Sequence, residues 1–159
     1  MEHQQGEQPT YRVLMVGSAG GHLAQLLRLE PWYHAHDVTW VTFDLPDARS
    51  SLTGRSVIWA HHPTTRNIPN LVRNAIQAVV TIRRARPELI ISSGAAVAVP
   101  YFWIGKLLRS RTVYIEVVDR VDTRTLTARL VSPVTDVFMA QVPEQVRLFP
   151  GSILIGRLL

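Results

Sequence analysis

The 159-residue sequence has no cysteine, and its 17 basic residues include a single lysine, Lys106. The lack of cysteine excludes a disulfide framework and thiolate chemistry, and it fits a protein of a reducing cytoplasm. The first ten residues, MEHQQGEQPT, contain no apolar stretch of the kind that a signal peptide requires. We therefore expect a disordered tail over residues 1–10 and one domain over residues 11–159.

Several motifs that mark common sites are also absent. The sequence GSAGGH, residues 17–22, is neither the G-x-x-x-x-G-K-[ST] loop of ATP-hydrolysing enzymes nor the G-x-G-x-x-G fingerprint of dinucleotide binding. No H-x-x-x-H, H-E-x-x-H or G-x-S-x-G pattern occurs, so neither a metal site nor a hydrolase nucleophile is expected. Asp44 follows the second predicted strand at a place that suits a ribose contact, so a nucleotide-dependent oxidoreductase stays open as an alternative.

The charge pattern gives no sign of a nucleic-acid partner. The formal net charge is +5, but RRAR, residues 83–86, is the one basic cluster. It ends a predicted helix, where positive charge complements the helix dipole. No stripe of basic and aromatic residues suited to base stacking occurs. An anionic lipid or a phosphorylated substrate remains compatible with the positive charge.

One uncharged run, LIISSGAAVAVPYFWIG at residues 89–105, approaches the length of a membrane span. The small residues SSG and Pro100 interrupt it, and its first part is β-branched. We interpret the run as a buried strand, a tight turn and a largely buried helix, and we expect no transmembrane helix.

Short apolar runs alternate with helix-like stretches along the chain. Strands are predicted at 12–16, 38–42, 57–59, 89–92, 112–117, 137–140 and 153–155. Helices are predicted at 21–29, 97–108, 125–130 and 144–149, and a longer one follows RNIPN. Most of the strands are continuous apolar runs, as expected of strands covered on both faces. The alternation predicts an α/β fold with a parallel, Rossmann-like sheet flanked by helices and right-handed crossovers.

The long helix is amphipathic. Its apolar residues recur at helical spacing, and its polar residues take the opposite side. The apolar set is Ile68, Leu71, Val72, Ala75, Ile76, Val79 and Val80, and the polar set is Asn70, Arg73, Asn74, Gln77 and Thr81.

Three unusual turns fall at the carboxyl ends of predicted strands, where parallel sheets bind ligands. They are GSAGGH, SSGAA at residues 92–96, and YIEVVDR at residues 114–120. Glycines let a backbone approach a ligand closely, and free N–H groups at a helix start attract anions. Each turn also has a plain structural explanation: glycines for helix packing, His22 as a first-turn residue, and Glu116 as a cap or a partner of Arg120. Because all three turns fall at one predicted edge, we favour a binding site there.

The same residues carry a family resemblance. The segments GSAGGHLAQL, RNIPNLVRN, PELIISSGAAVAVP, YIEVVDRVDTRTLTARLVSPVTDVFMAQ and PEQ resemble the PssD/CpsF family of bacterial exopolysaccharide and capsule enzymes. That family is related to the anchoring subunit of the dolichol-pathway UDP-N-acetylglucosamine transferase. It is also similar to the N-terminal half of MurG-like GT-B enzymes. The resemblance covers about residues 11–156.

The resemblance implies an acceptor domain that resembles a GT-B N-terminal half and works in a heteromeric complex. A small partner subunit, similar to a GT-B C-terminal half, would hold the UDP-sugar, so no cofactor is expected on this chain. This chain would hold a polyprenyl-diphosphate-linked glycan and would be inactive without its partner. An inverting transfer needs a base, and His22 and Glu116 are the two candidates. The implied diphosphate-binding residues are Gly17, Ser18, Ala19, Gly20, Gly21, Arg66, Asn67, Ser93, Gly94 and Arg120.

Other features leave alternatives open. Arg66 and Asn67 also suit a helix-entry role, and Arg120 also suits an ion pair with Glu116. The eukaryotic relatives of the family begin with a membrane-spanning helix, whereas no such helix is expected in this sequence. Peripheral contact with the cytoplasmic face of the membrane is therefore expected, through PYFWIGKLLR at residues 100–109. That segment reads equally well as a core helix. A non-catalytic scaffold that recruits the partner remains the other alternative. The sequence departs from the family pattern in two places. Ala19 stands in the first turn where the family usually has serine or glycine, and Val142 stands in AQVPEQ where the family often has an aromatic residue.

Overall fold

The computed structural model describes residues 9–64 and 66–159, and most of the tail expected over residues 1–10 lies outside this range. The strands are β1 (Arg12–Val16), β2 (Asp37–Phe43), β3 (Ser56–Ala60), β4 (Leu89–Ser92), β5 (Arg111–Ile115), β6 (Val137–Ala140) and β7 (Ile153–Leu154). The helices are α1 (Gly21–Leu27), α2 (Glu30–Tyr33), α3 (Pro46–Ser51), α4 (Ile68–Ala85), α5 (Ala98–Leu107), α6 (Leu126–Val131) and α7 (Pro143–Leu148). A 3-10 turn spans Ser132–Val134.

These strands form one parallel sheet in the order β3-β2-β1-β4-β5-β6-β7. The chain builds outwards from β1 to β3, returns to the centre and then adds β4 to β7 on the other side. The strand order therefore reverses between β1 and β4, which is where open parallel sheets bind ligands. The predicted fold class is confirmed.

Helices cover both faces of the sheet, which explains why the central strands are apolar throughout. In β1, Leu14 and Val16 pack into a core with residues of α4, α5 and α6. The alternate residues, Val13 and Met15, pack into a second core with residues of α1, α2 and α3. Each of these four side chains is buried.

All seven predicted strands are confirmed, with ends that differ by at most two residues. Two short helices, α2 and α3, were not predicted, because four or six residues are too few for a helical period. Both have proline in their first turn, where its fixed φ favours the helix. Strand β5 ends at Ile115 rather than at residue 117, so Glu116 lies just beyond the strand.

The long helix α4 turns its polar side towards the sheet, which is the reverse of a normal amphipathic helix. Asn74 is fully buried, and its Oδ1 accepts a hydrogen bond from the amide of His61 at 2.8 Å. The Nδ2 of Asn74 donates to the carbonyl of His61 at 2.9 Å, and Gln77 Nε2 donates to the carbonyl of Trp59 at 2.9 Å. These bonds attach the polar side of α4 to the end of β3. The apolar side is left exposed at Ile68, Leu71, Val72, Ile76 and Val80.

The uncharged run at 89–105 forms β4, a turn and α5, as predicted. Tyr101 and Phe102 are fully buried in the core, whereas Trp103 and Leu107 are exposed. Among the helices of the described residues, none combines the length and the apolar character needed to cross a bilayer.

Candidate functional site

The three unusual turns meet at one edge of the sheet, as the sequence predicts. They follow β1, β4 and β5, which are neighbours in the sheet. The first two turns are joined by a reciprocal pair of hydrogen bonds. His22 Nδ1 lies 2.9 Å from the carbonyl oxygen of Ser93, and Ser93 Oγ donates to the carbonyl of His22 at 2.9 Å. At the switch point between β1 and β4, these two hydrogen bonds therefore connect the turn after β1 to the turn after β4.

The bond to Ser93 fixes the tautomer of His22. A carbonyl oxygen only accepts hydrogen bonds, so Nδ1 must carry the proton and donate it. In neutral His22 the lone pair is therefore on Nε2, which has no hydrogen-bond partner among the described residues. Burial lowers the pKa of His22, against smaller opposing effects of the Ser93 carbonyl and of Asp119. His22 is accordingly a neutral imidazole at pH 7, with a basic nitrogen available.

Gly94 leaves the space that the ring of His22 occupies. Its φ is +121°, and a Cβ at this position would lie 2.9 Å from Cε1 of His22 and 3.1 Å from the hydroxyl of Tyr114. An L-residue is therefore disfavoured both by backbone conformation and by contact. This explains the small residues of SSGAA without a ligand at Gly94 itself.

The residues of GSAGGH have different structural roles. Gly17 packs closely, since a Cβ there would lie 3.3 Å from Leu26 Cδ1. Gly20 has φ +74° and ψ −134°, a conformation reserved largely for glycine, and its amide donates to Asp47 Oδ2 at 2.9 Å. Gly21 begins α1 and faces a cleft together with His22. Ser18 and Ala19 are half-buried between them.

The cleft has a volume of about 440 Å³ and lies beyond the carboxyl ends of β1, β4 and β5. The polar groups that line it are the backbone of the first turn, the hydroxyls of Tyr114, Thr125 and Thr127, the carboxylate of Asp119 and the guanidinium of Arg120. Its lining residues are Gly21, His22, Gln25, Ala95, Tyr114, Val117, Val118, Asp119, Arg120, Thr125 and Thr127.

Glu116, the other candidate base, is fully buried and is not among the residues that line the cleft. Its Oε1 accepts a hydrogen bond from the amide of Val117 at 3.0 Å, whereas Oε2 is buried without a partner among the described residues. Burial raises the pKa of Glu116 to about 7, although the Val117 amide and the charge of Arg120 oppose the shift. Glu116 therefore changes its protonation near neutral pH.

Arg120 lines the cleft and is exposed, and it forms no ion pair with Glu116 within the salt-bridge distance of 4.0 Å. Arg66 and Asn67 are not among the residues that line the cleft. Asn67 caps α4, since its side chain accepts from the amide of Asn70 at 3.0 Å. Its position supports the helix-entry role.

Asp44 does not offer a free carboxylate for a ribose. Both of its oxygens bind Arg49, with Arg49 Nη2 at 2.8 Å from Oδ2, and this pairing lowers the pKa of Asp44. The structural support for the oxidoreductase alternative is thereby lost.

Eight lining residues were not predicted as site residues: Gln25, Ala95, Tyr114, Val117, Val118, Asp119, Thr125 and Thr127. Tyr114 is buried and its hydroxyl lies 3.2 Å from Thr125 Oγ1, which also caps α6 by accepting from the amide of Ala128. Asp119 and Tyr114 belong to YIEVVDR, so the motif itself was the available signal. Gln25 follows His22 by one helical turn, which places both on one side of α1.

Solved structures of similar fold define the class of this protein. MurG of Acinetobacter baumannii matches 93% of the chain with a TM-score of 0.72 and 15% identity, and the match covers 46% of that protein. A glycosyltransferase of Rickettsia africae matches 94% at a TM-score of 0.70 and 12% identity, covering 44% of that protein. The chain thus spans less than half the length of these solved chains. Such identities establish the fold alone, which is that of the N-terminal half of a GT-B glycosyltransferase.

Sequence relatives identify the family. The model of the family described as "Oligosaccharide biosynthesis protein Alg14 like" matches residues 12–158, so this chain belongs to the Alg14-like family. The UDP-N-acetylglucosamine transferase subunit ALG14 of Eremothecium gossypii is 29% identical over 170 residues, covering 87% of this chain and 76% of that protein. The human protein of the same name is 23% identical over 177 residues, covering 92% and 82%. The predicted relationship to the anchoring-subunit family is confirmed.

Replacing Glu116 by glutamine should change how stability depends on pH. The pKa of Glu116 is higher in the folded chain than in the unfolded chain, so its effect on stability is most favourable below pH 4.5 and is lost as pH rises towards 7. At pH 8 we expect Glu116→Gln to be more stable than the parent by about 2–3 kcal/mol, with a difference that shrinks towards pH 5. Urea unfolding from pH 5 to pH 8 measures the difference. A constant difference across this range would contradict the buried-acid assignment.

Replacing Gly94 by alanine should displace the ring of His22. The added Cβ meets Cε1 of His22, and the positive φ adds backbone strain of about 1–3 kcal/mol. We expect a lower free energy of unfolding and a shifted imidazole ¹⁵N signal for His22. Gly21→Ala is the matched control, because a Cβ at Gly21 has no atom within 4 Å. Equal behaviour of the two variants would show that Gly94 does not define the position of His22.

Proposed function

We propose that this chain is the acceptor-side subunit of a two-component glycosyltransferase. A partner subunit with the fold of a GT-B C-terminal half holds the UDP-sugar, and this chain holds a polyprenyl-diphosphate-linked glycan. One observation carries the proposal: His22 Nδ1 is fixed by the carbonyl of Ser93, while Nε2 is available at a cleft beside the switch point. Membership of the Alg14-like family supports it, as does the description of relatives as transferase subunits.

The proposed reaction is an inverting transfer. The acceptor hydroxyl oxygen attacks the anomeric carbon of the donor sugar, the bond from that carbon to UDP breaks, and UDP leaves with the electron pair. The hydroxyl proton passes to Nε2 of His22, which acts as the general base. Because burial lowers the pKa of His22, the imidazole is in its basic form at neutral pH. Glu116 is the poorer candidate for this proton, since its carboxyl group is buried away from the cleft.

The acceptor diphosphate is proposed to bind beside His22. The amides of Gly21 and His22 have no acceptor among the described residues, and Arg120 lies at the same cleft. Backbone amides and a guanidinium are groups that bind phosphate oxygens. The amide of Gly20 is outside the proposed phosphate site, because the Asp47 carboxylate already accepts from it.

A membrane contact is proposed on the exposed apolar side of α4 and its neighbours α5 and α6. We call this surface the outer face; it consists of Ile68, Leu71, Val72, Ile76, Val80, Trp103, Leu107, Leu126 and Leu130. Ile68 is 73% exposed, Ile76 62% and Leu107 80%. Helix α5 contacts both α4 and α6. Exposed apolar side chains on neighbouring helices are a feature of protein or membrane interaction sites.

The charge pattern supports an anionic membrane as the occupant of the outer face. Between residues 48 and 115 the sequence has ten basic residues and one acidic residue, Glu88, whereas the rest of the chain has seven basic and eleven acidic residues. This stretch includes α4 and α5, neither of which contains an acidic residue. Basic side chains beside an apolar surface are typical of peripheral proteins that bind anionic lipids. The outer face therefore relies mainly on α4, with only Trp103 and Leu107 from the segment 100–109 that the sequence singled out.

The catalytic proposal is tested by His22→Ala and Glu116→Ala in a complex with the partner subunit. The chain is coexpressed with a small protein of GT-B C-terminal-half type, and transfer from the UDP-sugar to the lipid-linked acceptor is measured. We expect His22→Ala to lower kcat by about 10²–10⁴-fold, which is the usual contribution of a general base, with the complex still assembled. We expect Glu116→Ala to lower kcat less than His22→Ala does.

The controls separate the alternatives. Unchanged transfer rates in both variants would favour the non-catalytic scaffold. Full activity of the isolated chain, with no stable complex, would contradict the two-component proposal. Co-purification of each variant with the partner shows that a loss of transfer does not come from a loss of assembly.

The outer face is tested by Ile76→Asp with Leu107→Asp in vesicle sedimentation. Burial of each side chain in lipid contributes about 1.5–3 kcal/mol, so the double variant should bind phosphatidylcholine–phosphatidylglycerol vesicles at least tenfold more weakly. The matched control is Ile153→Asp with Leu154→Asp, which changes two exposed apolar residues on β7. Parent binding should weaken with salt and with removal of phosphatidylglycerol. Equal binding by both double variants would rule out the outer face as the membrane contact.

A further inference from the structure

We propose that two buried glutamines, Gln141 and Gln145, are positioning residues that define the wall of the cleft formed by residues 117–120. Both belong to the segment AQVPEQ at the end of β6 and the start of α7, and neither lines the cleft. Gln141 is 2% exposed and Gln145 is fully buried. The proposal goes beyond the transfer reaction, because it concerns what holds the site together. Only its ligand-binding part rests on the proposed function.

The wall needs such support because it lies beyond the regular sheet. Strand β5 ends at Ile115, and residues 117–120 belong to neither a helix nor a strand. The amide of Arg120 donates to the carbonyl of Val117 at 3.1 Å. Further donors to the carbonyls of this stretch have to come from side chains, since a buried carbonyl without a hydrogen bond is costly. Val117 and Arg120 line the cleft, so the path of this short stretch determines the shape of the cleft.

Gln145 supplies two of the donors. Its Nε2 donates to the carbonyl of Val117 at 2.6 Å and to the carbonyl of Arg120 at 3.1 Å. The two carbonyls are thereby held by the two hydrogens of one amide group. The Oε1 of Gln145 accepts from the amide of Gln141 at 2.8 Å, which fixes the orientation of the side chain.

Gln141 joins the wall to two other parts of the chain. Its Nε2 donates to the carbonyl of Glu116 at 2.8 Å and lies 3.3 Å from Oε1 of Gln25, the residue one turn after His22. Its Oε1 accepts from the amide of Leu158 at 2.9 Å. One amide group thus connects the cleft wall, the helix that carries His22 and the segment after β7.

Each hydrogen and each carbonyl oxygen of the two side-chain amides has a hydrogen-bond partner within this network. A glutamine amide offers two hydrogens and one carbonyl oxygen, and each of these has a partner here. Oxygen and nitrogen are distinguished by their partners, because the nitrogen atoms contact oxygens and the oxygen atoms contact N–H groups. A fully satisfied buried network of this kind specifies one conformation of the backbone that it holds.

The test replaces Gln145 by methionine in the full chain. Methionine has a similar length and volume but no hydrogen-bonding amide, so the core is filled. The carbonyl of Arg120 loses its donor, and the carbonyl of Val117 keeps only the amide of Arg120. The matched control is Gln77→Met on α4. Gln77 likewise donates from Nε2 to a backbone carbonyl, that of Trp59 at 2.9 Å, and its Oε1 accepts from the hydroxyl of Tyr101. Comparable losses of thermal stability are expected in the two variants.

Two readouts separate positioning from general stability. Amide ¹H–¹⁵N signals of residues 117–120 should shift in Gln145→Met and stay unchanged in Gln77→Met. Inorganic pyrophosphate is the probe for the cleft, followed through the imidazole signal of His22. Its Kd should rise on the order of tenfold in Gln145→Met, since small misplacements of a wall have large effects on a preorganised site. In Gln77→Met the Kd should remain within about twofold of the parent value, since that side chain is outside the cleft.

The outcomes distinguish this proposal from the proposed function. Shifted wall signals together with weakened pyrophosphate binding support both. Shifted wall signals in a chain that never binds pyrophosphate support the positioning role and count against the diphosphate site. Unchanged wall signals and unchanged binding overturn the positioning role. Gln145→Asn keeps a neutral amide but is shorter by one methylene, so its nitrogen no longer reaches both carbonyls. It is expected to give the same shifts, and it replaces Gln145→Met if that variant does not fold.

Discussion

The reciprocal contact between His22 and Ser93 is the interaction on which the site depends. It joins the turn after β1 to the turn after β4, and these strands are adjacent only because the strand order reverses there. The same contact assigns the proton to Nδ1 and leaves Nε2 as the basic atom. Gly94 provides the space for the ring, so the backbone conformation of one turn determines the side-chain position of the other. The strand order, the tautomer of His22 and the backbone conformation of Gly94 are therefore linked through this one contact.

The rest of the site is built from amide groups more than from ion pairs. Gln25, Gln141 and Gln145 are buried at or beside the cleft. Gln141 and Gln145 donate to backbone carbonyls that the sheet leaves without partners, and Gln25 accepts from Gln141. Neutral amides satisfy those carbonyls without bringing a net charge into the interior, where an unpaired charge is costly. Glu116 is the exception, and its raised pKa is the consequence of being buried with one oxygen unpartnered. Charge at the cleft is thereby limited to the exposed groups Asp119 and Arg120.

Local patterns in the sequence were sufficient for the elements and for the edge at which the site lies. Continuous apolar runs predicted all seven strands, and the three turns at their carboxyl ends predicted the edge of the sheet at which His22 and Ser93 meet. The burial of Glu116 was not predictable, because it depends on where β5 ends and on what α7 packs against. Gln25, Gln141 and Gln145 were missed for a related reason. A buried glutamine has no periodic signal, and its partners are up to 116 residues away in sequence.

Helix α4 is the clearest case in which a correct pattern does not fix the orientation. The spacing of Ile68, Leu71, Val72, Ile76 and Val80 predicts one apolar side, but it does not state what that side contacts. Asn74 decides the orientation, because both polar ends of its amide pair with the backbone of His61 at the end of β3. Pairing these buried groups holds the polar side against the sheet. The apolar side is consequently directed outwards, where none of the residues that the structure describes covers it.

The position of α4 relates the outer face to the cleft. Because α4 follows β3, it begins at the carboxyl edge of the sheet, the same edge at which His22 and Arg120 lie. Its 18 residues span about 27 Å, so the apolar side extends from the carboxyl edge along the full depth of the sheet. If the outer face rests on a bilayer, as proposed, the cleft is brought close to the lipid headgroups. A diphosphate-linked acceptor has its phosphates at that depth and its lipid below it. In the proposed function, the inverted helix and the histidine cleft serve one substrate that is polar at one end and lipid at the other.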